Sequence, residues 1–141
     1  MRVMGLVVLV GLLGPTTSVA GASKPKSFAL ELRVTPRFAF SPARLLFVAE
    51  LKGGEDSEEL YCPQLEWEFE DGGKSVEEGD CPAYEAGMRI ERHYSISHDF
   101  RRAGAYNVTL TLSKAGRVLR RQTLQVTVRA GAGDPSGLRP D

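Results

Sequence analysis

The chain has 141 residues, 42% of them hydrophobic and 26% charged, with 18 basic against 18 acidic side chains. That balance gives no case for a nucleic-acid binder, and the composition is that of a folded globular domain rather than a disordered chain. One ordinary core fits this length; a multidomain enzyme, an integral membrane protein and a coiled coil do not.

The N-terminus reads Met1-Arg2, an apolar run from Val3 to Leu13, Pro15, and then small residues. Ser18-Val19-Ala20 and Ala20-Gly21-Ala22 both fit a small-x-small cleavage site, so residues 1–22 read as a secretory signal peptide cut after Ala20 or Ala22. The run is too short to cross a bilayer, and nothing later is apolar enough to form a membrane segment. The expected location is therefore secreted or periplasmic.

Beyond that leader the dominant period is two. Phe28, Leu30, Leu32 and Val34 alternate with Ala29, Glu31 and Arg33, the pattern of a half-buried strand. Thr35-Pro36 and Ser41-Pro42 punctuate the chain before a second inward set, Leu45, Phe47, Ala49 and Leu51, whose other face carries Leu46 and Val48. Lys52 to Glu59 is a polar turn. Leu65, Trp67 and Phe69 then alternate with Glu66, Glu68 and Glu70, and Asp71-Gly72-Gly73 ends that strand. Ser75 to Gly87 has no period and reads as a loop. Ile90, Tyr94, Ile96, His98 and Phe100 share one parity, with Arg92 an exception. Tyr106, Val108, Leu110 and Leu112 make the next strand, with Asn107, Thr109 and Thr111 facing out. Lys114-Ala115-Gly116 reads as a hairpin turn, Leu124, Val126 and Val128 complete the core, and Ala130 to Asp141 reads as a flexible tail. Six or seven short strands with no helical period indicate an all-β, immunoglobulin-like antiparallel β-sandwich over residues 28–129.

Cys62 and Cys81 are the two cysteines, and an even count in an exported chain favours a disulfide. The bridge would close a loop of about 20 residues, worth roughly 3 kcal/mol through the entropy of the unfolded chain. A metal site needs three or four ligands at a defined spacing, which two cysteines and two histidines do not supply. The Cys-x-x-Cys of a redox pair is absent.

Two segments narrow the sandwich. Trp67-Glu68-Phe69-Glu70-Asp71-Gly72 resembles the Trp-Asp-Phe-Gly-Asp-Gly signature of the polycystic kidney disease (PKD) domain family. His98-Asp99-Phe100, followed by Gly104, Tyr106, Val108, Leu110 and Leu112, is similar to that family's His-x-Tyr-x-x-x-Gly-x-Tyr-x-Val-x-Leu stretch. Phe47 and Ala49 fall where its Phe-x-Ala strand would lie. The resemblance runs from Phe28 to Arg129. It implies a binding or structural module for extracellular or periplasmic contacts with a protein or a carbohydrate, without catalysis. Glu70 in place of Gly, Phe100 in place of Tyr, and the added loop with its cysteines depart from the family pattern.

The residues themselves give these positions structural work. Trp67 is the natural anchor between two sheets. Gly104-Ala105-Tyr106 suits the entry to a sandwich's sixth strand, where a tyrosine hydroxyl can bond back to upstream backbone. Antibody-type domains place a cysteine two residues after that tyrosine; here the position is Val108, so an inter-sheet disulfide is not expected.

Glu50 to Glu85 holds 13 carboxylates and two lysines, whereas Ala86 to Arg129 holds nine basic residues and two acidic ones. A calcium site around Asp71, Glu77, Glu78 and Asp80 is one reading, although EF-hand spacing is absent; the other is a solvated acidic edge, and no cofactor is expected. A calcium-dependent or polysaccharide-binding accessory subunit is the alternative function. Arg101, Arg102, Arg117, Arg120 and Arg121 are a candidate patch for an acidic glycan or cell surface, or else a solvated face. His98 lies at a strand position beside the core with no nucleophile motif near it, and His93, of opposite parity, reads as exposed. Asn107-Val108-Thr109 is a glycosylation sequon. With no triad, phosphate loop or metal box, an enzyme has no residues to stand on.

Overall fold

The computed structural model describes residues 27–133; the signal-peptide reading and the far part of the tail lie outside them. Eight strands follow in order: β1 Phe28–Thr35, β2 Ala39–Phe40, β3 Ala43–Gly53, β4 Gln64–Phe69, β5 Lys74–Glu77, β6 His93–Phe100, β7 Gly104–Lys114 and β8 Arg117–Arg129. They form a three-stranded sheet, β1-β3-β6, and a five-stranded sheet, β2-β8-β7-β4-β5. All pairings are antiparallel except the two-residue β2, which runs parallel to the end of β8. The fold is an immunoglobulin-like β-sandwich.

Alternation along β3 and β4 explains how the sheets meet. Leu45, Phe47, Ala49 and Leu51 from one sheet and Leu65, Trp67 and Phe69 from the other are all buried, joined by Phe100, Val108, Leu110 and Leu112. Phe47 is the hub: its ring centroid lies 6.4 Å from Trp67, 5.6 Å from Phe69 and 6.3 Å from Phe100. Tilted and edge-on rings at these separations suit the aromatic quadrupole. Trp67 is fully buried, and its indole Nε1 has no hydrogen-bond partner among the described residues. An orphaned buried donor costs about 1–3 kcal/mol, so shape, not polar satisfaction, holds the ring there.

Four details depart from the sequence reading. Ser75–Gly87 is not loop throughout: Lys74–Glu77 forms edge strand β5, paired so that Trp67 faces Ser75. Four residues with one half-exposed valine, Val76, carry too little alternation to reveal a strand. Strand β2 is likewise too short to leave a pattern. Thr111 sits on the outer face of central strand β7 yet is only 6% exposed, because Arg121 lies across it and donates from Nε to its Oγ1 at 3.1 Å. The tail's first residues are tethered, with the Gly131 N–H donating to Ser41 Oγ at 3.2 Å. The β7–β8 turn matches its reading. Ala115 and Gly116 have φ of 49° and 75°, the two positive angles of a tight hairpin turn.

The loops gather at two ends. Residues 36–42, 71–73 and 101–103 form one end, with Arg37, Arg101 and Arg102. Residues 54–63 and 78–92, with the β7–β8 turn, form the other, and those two long loops carry eight carboxylates against Arg89 and Arg92.

Candidate functional site

At the basic end, turn 71–73 brings Asp71 against strand β6. His98 Nε2 donates to Asp71 Oδ2 at 2.8 Å, and the Gly73 N–H donates to Asp71 Oδ1 at 3.0 Å. The imidazole stacks on Phe69 at 3.7 Å with the planes 4° apart, and Phe100 meets its edge at 4.8 Å. The turn needs its two glycines: Gly72 has φ of 93°, and a Cβ on Gly73 would come within 2.5 Å of His98 Cε1. Burial works to raise the Asp71 pKa, but the bonds from His98 and the Gly73 N–H outweigh it and hold the carboxyl below the ordinary aspartate range.

The same end carries the tyrosine corner. The Tyr106 hydroxyl donates to the Arg102 carbonyl at 2.8 Å, and its ring lies 4.6 Å from Phe100. Gly104 opens β7 and Val108 is buried at its centre. Glu70 accepts from the Asn107 N–H at 2.7 Å and so extends the link between β4 and β7. The Asn107 side chain is exposed. These residues form a frame. The His98 ring is committed to Asp71 and Phe69.

The other end is built differently. Cys62 and Cys81 are bonded, with Cα atoms 6.2 Å apart, and join loop 54–63 to loop 78–92. Side chains that no sequence pattern indicated complete the tether. Arg92 donates to the Gly53 carbonyl at 2.7 Å and to Asp56 Oδ1 at 2.6 Å, while its own carbonyl accepts from the Leu51 N–H. Its break in parity reflects this clamp, since it precedes β6. The Tyr84 hydroxyl donates to the Asp56 carbonyl at 3.3 Å, and its ring packs 5.4 Å from Tyr61. Lys114 reaches from β7 to the Tyr61 and Cys62 carbonyls. The hydrogen-bonded side chains and carbonyls lie 28 to 53 positions apart in sequence.

Between the free edges of β5 and β6, below the disulfide, lies a cleft of about 570 Å³ lined by Tyr61, Leu65, Glu77, Arg89, Glu91 and Tyr94 among others. Glu78 also faces it and accepts from Gln64 Nε2 at 2.7 Å. His93 stands exposed at its margin, 3.6 Å from Glu50. The Tyr94 hydroxyl donates to the Glu91 carbonyl at 2.8 Å. Burial, reinforced by the Glu91 charge and partly offset by Arg92, pushes the Tyr94 pKa up to about 12, so the phenol stays protonated at any physiological pH.

The remaining sequence candidates disperse. Asp71 is bonded to His98 at one end while Glu77, Glu78 and Asp80 lie toward the other, and no group of three or more potential ligands suited to a metal ion occurs among the described residues. The five arginines do not form one patch. Arg117 pairs with Glu59, Arg120 donates to the Phe28 carbonyl, and Arg121 covers Thr111, leaving Arg101 and Arg102 together at the basic end. No helix among the described residues is long and apolar enough to cross a membrane.

Neither a family model nor a curated protein matches the chain. Among solved structures, the CARDB domain of a Pyrococcus furiosus protein, in complex with di-metal ions, is similar at a TM-score of 0.48 and 8% identity, over 76% of this chain and 96% of that one.

Proposed function

We propose that this chain is an exported, non-catalytic PKD-like module that docks a basic protein segment at its disulfide-tethered end. The observation that carries the reading is the cleft of about 570 Å³ lined by Glu77, Glu78, Glu91 and two tyrosines, beside two loops rich in carboxylates. Its size falls within the roughly 300–1,000 Å³ usual for binding sites, and carboxylates at a cleft concentrate cationic partners. The disulfide supports export, since such bonds persist in oxidising compartments. A polysaccharide-binding role has less support, because Trp67, the ring best suited to stack on a sugar, is wholly buried.

The test is an amide chemical-shift titration of the folded chain with a tetra-arginine peptide and, separately, with neutral oligosaccharides. The peptide should move the amides of Glu77, Glu91 and Tyr94, and the sugars should leave them in place. Shifts produced only by the sugars would replace the docking reading with a carbohydrate one, and no shift from either would remove it.

A further inference from the structure

Two phenylalanines at the basic end have no role in the core. Phe38 is 76% exposed and Phe40 62% exposed, on the segment that carries β2. Both lie between two X-Pro bonds, and arginines flank Phe38. Arg37 precedes Phe38, the Arg129 guanidinium lies 5.9 Å from the Phe38 ring centroid, and Arg33 lines the same groove between β1 and β8. Apolar rings framed by cations are a costly surface unless something covers them.

The chain itself carries the complement. The carboxylate-lined cleft lies between β5 and β6, on the flank opposite β1 and β8 and toward the opposite end. It offers Leu65, Tyr61 and Tyr94 as apolar walls, and its carboxylates Glu77, Glu78 and Glu91 outnumber its one guanidinium, Arg89, the counterpart of a phenyl ring flanked by guanidinium groups. The two surfaces sit at diagonal corners of one sandwich, so one molecule cannot close the contact on itself. We propose that the cleft of one copy takes the Phe38–Phe40 tip of the next, giving head-to-tail association of this chain. The proposal rests on the docking reading of the cleft and names its occupant. Because tip and cleft lie on opposite flanks, one two-fold axis cannot satisfy both contacts at once, so association extends head to tail as an open chain or a ring rather than a two-fold dimer. The tip is small, which places the contact among weak, salt-sensitive interfaces.

Sedimentation velocity of the full exported chain over a wide concentration range tests this. The weight-average mass should rise with concentration at low salt, and raising the salt to molar levels should weaken association by roughly tenfold. The double variant Phe38→Ala/Phe40→Ala and the double variant Glu77→Lys/Glu91→Lys should each remain monomeric, with thermal melts confirming that both are folded. Mixing them should restore a one-to-one complex and nothing larger, because one retains the cleft and the other the tip. A chain that stays monomeric at every concentration, or a mixture that forms no complex, overturns the proposal. If that chain also sediments with vesicles of anionic lipid in a Phe38-dependent way, the tip is a membrane contact instead. If tetra-arginine still moves the cleft amides while the chain stays monomeric, self-association fails and the docking reading stands.

Discussion

The two ends of this sandwich are held by opposite means. At the basic end, the turns at 71–73 and 101–103 are fixed by groups already embedded in the core: His98 stacks on Phe69, Asp71 bonds His98, and Tyr106 caps Arg102. At the acidic end, loops of ten and fifteen residues each sink one aliphatic side chain, Leu60 and Ile90, into the core, and are joined besides by a covalent bridge with long side chains reaching for distant carbonyls. A short turn inherits order from its flanking strands. A long loop rich in carboxylates repels itself, and here a cross-link, the Arg92–Asp56 and Arg117–Glu59 pairs and the buried Leu60 and Ile90 together hold it.

The strongest way to break the contrast is to remove what both ends share. Trp67→Ala should cost roughly 3–5 kcal/mol in a denaturant melt, offset in part by release of its unpaired indole donor, and should loosen both ends together. Cys62→Ser with Cys81→Ser should cost roughly 3 kcal/mol. Hydrogen exchange should then quicken in residues 54–63 and 78–92 while β3, β4 and β7 keep their protection; equal loss in the core would mean the bridge holds the whole fold.

Acid titration isolates the other end. The Asp71 carboxyl sits below its ordinary pKa in the folded state, so the stability it contributes is present above about pH 4 and is lost as pH falls through its folded value. Asp71→Asn should flatten that part of the pH–stability curve, and an unchanged curve would show that the pair does not report on folding. Tyr106→Phe keeps the ring and removes one hydrogen bond, which should cost about 1 kcal/mol in the same melts. Glu68→Ala, on the outer face of β4 and half exposed beside Lys74, should cost less than about 0.5 kcal/mol. A loss near that of Trp67→Ala would contradict the assigned faces.

Where a strand buries one face against the opposite sheet, alternation reveals it, and β1, β3, β4, β6 and β7 were legible for that reason. Strands β2 and β5 were not, since they are short edge pieces whose residues answer to backbone pairing rather than burial. Thr111 escaped because Arg121, ten positions away, covers it. The frame residues Asp71, His98 and Tyr106 lie in the segments singled out for their resemblance to a family motif, though the contact between Asp71 and His98 was not legible there. The cleft was the least legible feature. Arg92, Tyr84 and Lys114 tether the loops above it largely through backbone carbonyls, which carry no residue identity, and Cys62 and Cys81 alone signalled that the two loops meet.

The course of β1 and β8 has a mechanical consequence. The described chain enters at the acidic end with Ser27, and β8 leaves at the basic end, both strands running in the same direction along the long axis. Tension applied through the flanking chain would pull β1 lengthwise along β3, straining their eight-residue register together instead of peeling it bond by bond. Arg120 adds a clasp where that load enters, with its guanidinium bonded to the Phe28 carbonyl and lying 4.9 Å from the Phe28 ring centroid. The sandwich is thus oriented to resist stretching along the line of its own backbone.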